Sequence, residues 1–323
     1  KVQQVDKELL PRPCRAMGQR MPEAPPQRVN ARTPQASTAR ALIIGCGYLG
    51  AVTARMLAAA GQREVWATTR TRDRWEALGT GCTRLLQYDI SRAGAENILP
   101  RDFDAGSSDV FVMLTPSAIG PALADGGYSR LLEAIVTMNP RRAVLVSSTG
   151  VYGEQDGGIV TAETPPQPPG TRGKQLLDIE NRWLGAGAQH RVCRLAGIYG
   201  PGRVVGRESL LNGAVLPGDP GAWLNLIHVE DAAELVIRCA RADNAHAIEL
   251  GSDGDPVSRK TYYTWLASLL GAAPPQFDPA QRARSGSKRC DPRATQQRLG
   301  WTPKYCDFRA GLAASLNAND PDA

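Results

Sequence analysis

Six short apolar runs recur along the chain, each set off from the next by a polar or amphipathic interval. They are ALIIG (41–45), EVWATT (64–69), RLLQYD (84–89), DVFVML (109–114), AVLVSS (143–148) and RVCRLA (191–196). Between them, residues 49–60, 127–138 and 174–186 place apolar side chains at helical spacing. Strands that alternate with helices in this way predict a parallel sheet with crossover helices. Beyond residue 197 the texture changes. Gly- and Pro-rich loops (200–206, 217–221, 271–279) alternate with two amphipathic stretches, 229–241 and 258–270, ahead of a basic tail. This predicts a core over 41–197 and a smaller C-terminal part over 198–315, folded across the carboxyl edge of the sheet where ligands sit in such folds.

Composition changes the picture mainly at the ends. The first forty residues hold eight Lys or Arg and three acids, are rich in Pro and Gln, and show no sustained apolar period. Such a segment cannot bury enough apolar surface to offset its ordering entropy, so disorder is expected there and over 316–323. The acids and prolines of that segment argue against a targeting peptide. The remaining length, about 280 residues, suffices for one large α/β unit. No apolar run reaches the roughly 18 residues that span a bilayer, so a soluble, cytoplasmic protein is expected. Net charge is +6, but the basic residues are spread along the chain, which speaks for a solvated surface and not for nucleic-acid binding. The seven cysteines are odd in number and lack any CxxC spacing, which argues against a zinc site and a disulfide framework and suits a reducing compartment.

The sharpest chemical signal follows the first run. Gly45, Gly47 and Gly50 form G-x-G-x-x-G between a strand and a helix, with Tyr48 and Leu49 at the head of that helix. In a Rossmann-type doubly wound sheet, the first glycine permits the tight turn and the second admits the dinucleotide pyrophosphate. The third lets helix and strand pack closely, while the free N–H groups of the helix start face the phosphates. An acid at the end of the second strand would bind the 2′-hydroxyl of NAD. Thr69-Arg70-Thr71-Arg72 stands there instead, and Arg70, with Arg72 beside it, suits a 2′-phosphate. NADP is therefore the expected cofactor, with NAD as the alternative.

Further stretches carry a resemblance. LVSSTGVYG (145–153), RLAGIYGPGR (194–203), NLIHVEDAA (225–233), SDGDPVSRKTYYTWLASLLG (252–271) and LGWTPKY (299–305) resemble the extended short-chain dehydrogenase/reductases of the NAD-dependent epimerase/dehydratase group. In detail they are similar to an atypical bacterial subgroup, and the likeness runs over about residues 41–315. It implies that Ser148 hydrogen-bonds a substrate oxygen and that Asp89 and Ile90 lie near the adenine. By the same likeness, Leu114, Thr115 and Pro116 follow the nicotinamide ribose, and Ala196, Gly197 and Ile198 meet the carboxamide edge.

One element departs from that pattern. The group's helix after the fifth strand carries Tyr-x-x-x-Lys, whose phenol exchanges a proton near neutral pH. Aligned through Gly173-Lys174, this chain reads Arg172 and Leu176 at those places. A guanidinium donates hydrogen bonds but is a poor proton shuttle. Leu224 and Gly197 replace an Arg and an Asn that nucleotide-sugar members use, which argues against a UDP-sugar substrate. Arg203, Lys288 and Arg289 are candidates for an anionic ligand, although solvated loops are expected at all three. His228 reads as either a pocket group or a structural histidine, and Tyr152 is the nearest tyrosine to Ser148. Two functions fit. One is an oxidoreductase or epimerase-like enzyme acting on a small carbonyl or sugar-like substrate through Ser148 and Arg172; the other is a non-catalytic NADP-binding sensor or scaffold. No metal, membrane or nucleic-acid partner is expected, and self-association into a homodimer is allowed.

Overall fold

The computed structural model describes residues 40–91, 103–114, 126–168, 170–281 and 286–317. Of the expected disordered tails, 1–40 and 316–323, residues 1–39 and 318–323 lie outside these, as do Thr115 and Pro116, whereas Leu316 and Asn317 end the helix Phe308–Asn317. The central sheet has seven strands: β1 (Ala41–Ile44), β2 (Val65–Thr69), β3 (Arg84–Gln87), β4 (Asp109–Val112), β5 (Arg142–Ser148), β6 (His190–Leu195) and β7 (Ile248–Gly251). All its pairings are parallel, in the order β7-β6-β5-β4-β1-β2-β3. The chain therefore winds outward from β1 in both directions, the Rossmann-type arrangement, and its switch point lies between β1 and β4.

Alternation along each strand gives the sheet two apolar faces. Ala41 and Ile43 join one core with Ala67, Phe111 and Val144. That core is covered by α1 (Tyr48–Ala59) and α6 (Val229–Arg241). Leu42 and Ile44 join the other with Val110, Val112 and Leu145, beneath α3 (Gly127–Met138) and α4 (Gly170–Gly185). The short helix α2 (Trp75–Leu78) follows β2. A third core gathers Tyr199, Leu226, Tyr262, Leu266, Phe308 and Leu312 in the C-terminal part. It is built on α5 (Arg207–Leu211), α7 (Arg259–Leu270) and α9 (Phe308–Asn317), with α8 (Arg293–Leu299) between them in sequence.

The helix ends follow their sequence signals. Ser258 caps α7 by accepting from Thr261 N–H at 3.1 Å, and Gly271 closes it in the left-handed region at φ +64°. In α6, Glu230 and Asp231 occupy the first turn and Arg238 and Arg241 the last, complementing the helix dipole. Cys46, Cys82, Cys193, Cys239 and Cys290 are free thiols. Among the described residues no helix is long and apolar enough to cross a membrane, and no group of His, Cys, Asp and Glu could hold a metal ion.

Candidate functional site

The crevice at the carboxyl end of β1 is built by its three glycines. Gly45 adopts φ +88°, and a Cβ there would sit 2.9 Å from Leu114 Cδ2. A side chain at Gly50 would lie 3.2 Å from Gly45 O and from Ile43 Cγ2, so this glycine brings α1 down onto β1. Gly47 differs, because a Cβ there would meet no protein atom nearer than Gly45 O at 4.0 Å. The turn is pinned to β2, since Gly45 N–H donates to Thr68 Oγ1 at 3.0 Å and Cys46 N–H to Thr68 O at 2.7 Å. The start of α1 has no side-chain cap and no acid in its first turn, so the N–H groups of Tyr48, Leu49 and Gly50 face the crevice without a side-chain acceptor. These residues fit a dinucleotide pyrophosphate.

Around the rim the expected contacts divide. Thr69 is buried, with its hydroxyl donating to Thr71 O and accepting from Trp75 Nε1 at 2.7 Å. Arg72 is committed, since its Nε donates to Gln87 Oε1 at 3.2 Å and its guanidinium lies over the Trp75 ring. Arg70 is exposed, and its guanidinium has no partner among the described residues. Asp89 is half-buried and accepts from Ser91 in a local turn; Ile90 is buried in the second core. Ala196 N–H donates to Gly251 O at 2.9 Å and Gly197 N–H to Asn225 O at 3.0 Å, while Ile198 packs on the first core.

Ser148 ends β5, and its Oγ accepts from Gly150 N–H at 3.1 Å. That bond orients the side chain and leaves its own proton free to donate. Arg172 lies in the first turn of α4 and is exposed, one turn before Leu176 on the same helix face. Leu176 packs with Val151, Tyr152 and Val160. Tyr152 is fully buried, and burial pushes its phenol up to about 12, which makes it a poor proton donor near neutral pH.

Ser147, the residue before Ser148, belongs to a cluster that sequence reasoning missed. Glu180 of α4 and Arg194 of β6 form a salt bridge at 2.7 Å with side chains 1% and 2% exposed. Ser147 Oγ donates to Glu180, and the Arg194 guanidinium lies 4.9 Å from the Tyr152 ring centroid. The one available signal was a Glu on the apolar face of a helix, four residues after Leu176.

The anionic-ligand candidates separate as well. Lys288 was expected in a solvated loop but is 2% exposed, its Nζ donating to Gly153 O at 3.3 Å and Gly286 O at 3.4 Å. Burial pulls its pKa below the usual lysine range. Asn225 clamps this segment, donating to Lys288 O at 2.8 Å and accepting from Cys290 N–H at 2.7 Å, which holds Lys288 inward. Arg289 Nε donates to Gly157 O at 2.7 Å. Arg203 is exposed, over the Tyr48 ring. His228 is structural: it caps α6, its Nε2 meets Ser315 Oγ at 3.3 Å, and burial pushes its pKa down to about 4.

Comparison with known proteins agrees with this geometry. Protein YeeZ of Escherichia coli (strain K12) is 29% identical over 244 residues, spanning 73% of this chain and 85% of its own. A functionally unknown conserved protein from Silicibacter pomeroyi superposes with TM-score 0.69 at 27% identity, over 88% of this chain and 100% of its own. MoeE5 in complex with UDP-glucose and NAD shares the fold, with TM-score 0.70 at 24% identity over 86% of this chain and 98% of its own. The family model described as NAD dependent epimerase/dehydratase matches residues 41–251, well over half of the chain. With the glycine cradle and the switch-point crevice in place, the chain belongs to the NAD dependent epimerase/dehydratase family.

Proposed function

We propose that the protein is an NADP-dependent oxidoreductase or epimerase-like enzyme that acts on a small carbonyl or sugar-like compound without a tyrosine acid/base. The observation that carries the cofactor choice is Arg70, an uncommitted guanidinium where an NAD site would place a carboxylate. A 2′-phosphate would take it as a bidentate donor. A bound nicotinamide supplies the hydride donor or acceptor. The chain's own part is to hold the substrate oxygen: Ser148 donates its free hydroxyl proton, and Arg172 adds a donor that stays protonated. Orientation of the reacting carbon then supplies much of the rate.

A second reading, a non-catalytic NADP-binding sensor, is favoured by one observation. Leu176 sits in an apolar cluster where the family pattern places a lysine, so nothing there would lower the pKa of a neighbouring acid. One experiment separates the two: titration of nicotinamide fluorescence with NADPH and NADH, followed by a turnover screen on small carbonyl compounds. NADPH is expected to bind at least about tenfold tighter, the scale of one charge-assisted contact. If the protein is an enzyme, Ser148→Ala lowers kcat by about 10- to 1,000-fold, the range for one donor to a developing oxyanion. Equal affinities would defeat the NADP assignment, and tight binding without turnover would favour the sensor.

A further inference from the structure

The loop that follows Tyr199 reaches across the sheet's carboxyl edge and touches the glycine loop. Tyr48 Oη donates to Pro201 O at 3.0 Å, joining the first residue of α1 to a segment about 150 residues downstream. This approach needs a glycine: a Cβ at Gly200 would sit 2.6 Å from Tyr48 Oη and 2.7 Å from Val229 Cγ1. The loop is also closed on itself. Gly200 N–H donates to Arg203 O at 3.0 Å, and Arg203 N–H returns to Gly200 O at 2.9 Å. Arg203 is thereby fixed above the start of α1, its guanidinium 5.5 Å from the centroid of the Tyr48 ring.

We propose that Arg203 is a clasp on the diphosphate of the bound dinucleotide, delivered from the substrate-side loop onto the glycine cradle. This rests on the reading that the glycine loop holds a dinucleotide. Four observations support it. Arg203 is exposed, and its guanidinium has no hydrogen-bond or ion-pair partner among the described residues. The space over Gly47, where a Cβ would meet only Gly45 O at 4.0 Å, adjoins Tyr48, the residue that Arg203 covers. The two charges acting most on the Tyr48 phenol, Arg203 and Arg55, are both cationic, so this lip of the crevice is positive. Burial holds that phenol up at about 12, so its hydroxyl keeps donating to Pro201 O at any physiological pH.

The chemistry also favours a side-chain cation there. Helix N–H groups offer a diphosphate only about half a positive charge against its two negative ones. A guanidinium adds a full charge with paired donors. Because NADPH and NADH share the diphosphate, the clasp serves both. Arg70, which addresses the 2′-position, distinguishes them.

That contrast is the test. Nicotinamide fluorescence is titrated with NADPH and with NADH in the wild type, Arg203→Ala, Arg203→Lys and Arg70→Ala, at low and moderate salt. Arg203→Ala is expected to weaken both cofactors by the same factor, about 10- to 100-fold, and to flatten the salt dependence. Arg203→Lys recovers part of the loss, while Arg70→Ala weakens NADPH alone. Since Arg203 is exposed, the melting temperature of its variants should stay that of the wild type. Unchanged binding in Arg203→Ala beside a normal wild type overturns the clasp. So does a loss confined to NADPH, which would place the guanidinium on the 2′-phosphate. A wild type that binds neither dinucleotide overturns the cofactor reading, and the clasp with it.

Discussion

Glu180 and Arg194 are the residues whose surroundings conflict most with their chemistry. Both are almost completely buried, and an ion pair removed from water is neutral or mildly unfavourable beside a well-packed apolar pair. Removing one partner is far worse, so Glu180→Ala is a poor probe of catalysis; it would act through folding first. His228 gives a cleaner reading of burial. Its imidazole caps α6 and faces the rings of Tyr199 and Tyr305, with Glu230 raising its pKa and Lys304 lowering it. Desolvation dominates and sets the pKa at about 4 against an ordinary 6.5. Between those values the unfolded chain binds the proton and the folded one does not. Stability therefore rises with pH across this window and is lost as pH falls from 6.5 towards 4. The whole effect is at most about 3 kcal/mol. In His228→Asn the amide oxygen can still cap Glu230 N–H, but the titration is gone. Thermal melts from pH 7 to pH 4.5 should therefore show the wild type losing several degrees more than the variant. Parallel curves would mean that the imidazole is protonated in the fold.

At the scale of an element, the strand–loop–helix at 41–59 makes two glycines behave oppositely. Ala at position 50 would press on Gly45 O and Ile43 Cγ2 and push α1 off the sheet, at about 1–3 kcal/mol for overpacking. Ala at position 47 meets only Gly45 O, at 4.0 Å and without crowding, so Gly47→Ala should change stability by less than about 0.5 kcal/mol. It should nevertheless weaken the cofactor, because the methyl group takes up the phosphate's space. Chemical denaturation paired with cofactor titration tests both; a destabilised Gly47→Ala with intact affinity would refute the assignment. This element was legible because backbone geometry is written into residue type: Gly45 takes a positive φ, and Gly50 lets α1 close onto β1. Six of the seven sheet strands were legible for a similar reason, each being an apolar run bounded by polar residues. The seventh, Ile248–Gly251, is four residues of IELG with a charge inside it, and only its place beside β6 makes it a strand. Helices α8 and α9 sat unread in the basic tail. Yet α8 carries Pro292 before its start and Gly300 in the left-handed region after its end, which are recognisable start and stop signals. The cluster of Ser147, Glu180, Arg194 and Tyr152 stayed hidden because β5, α4, β6 and the turn after β5 must meet before its charges become a pair.

At the scale of the whole molecule, the C-terminal part cannot be peeled from the core. After leaving the sheet at Leu195, the chain returns to it as β7, paired in parallel to β6 from Ile248↔Val192 to Gly251↔Leu195. On the way, α6 supplies Val229, Ala232, Leu235, Val236 and Cys239 to the core that also holds Leu57 of α1 and Phe111 of β4. Trp301, from beyond α8, is fully buried in that same core. Polar ties cross the same seam. Arg191 of β6 donates to Ala242 O at 2.7 Å, Lys288 Nζ to Gly153 O at 3.3 Å and Arg289 Nε to Gly157 O at 2.7 Å. Independent domains meet through small, polar interfaces, whereas here one hydrophobic face of the sheet is completed by both halves of the chain. The expected outcome is one cooperative transition: thermal unfolding followed by tryptophan fluorescence and by far-UV circular dichroism should coincide. By the same argument, a chain ending at Gly197 should show no cooperative transition. It would expose the face that α6 covers and leave β6 as an unpaired edge, which invites aggregation. Two separated transitions, or a folded fragment ending at Gly197, would show that the sheet needs neither β7 nor α6. The C-terminal part would then be an appendage placed over the cofactor crevice, and not part of the body that forms it.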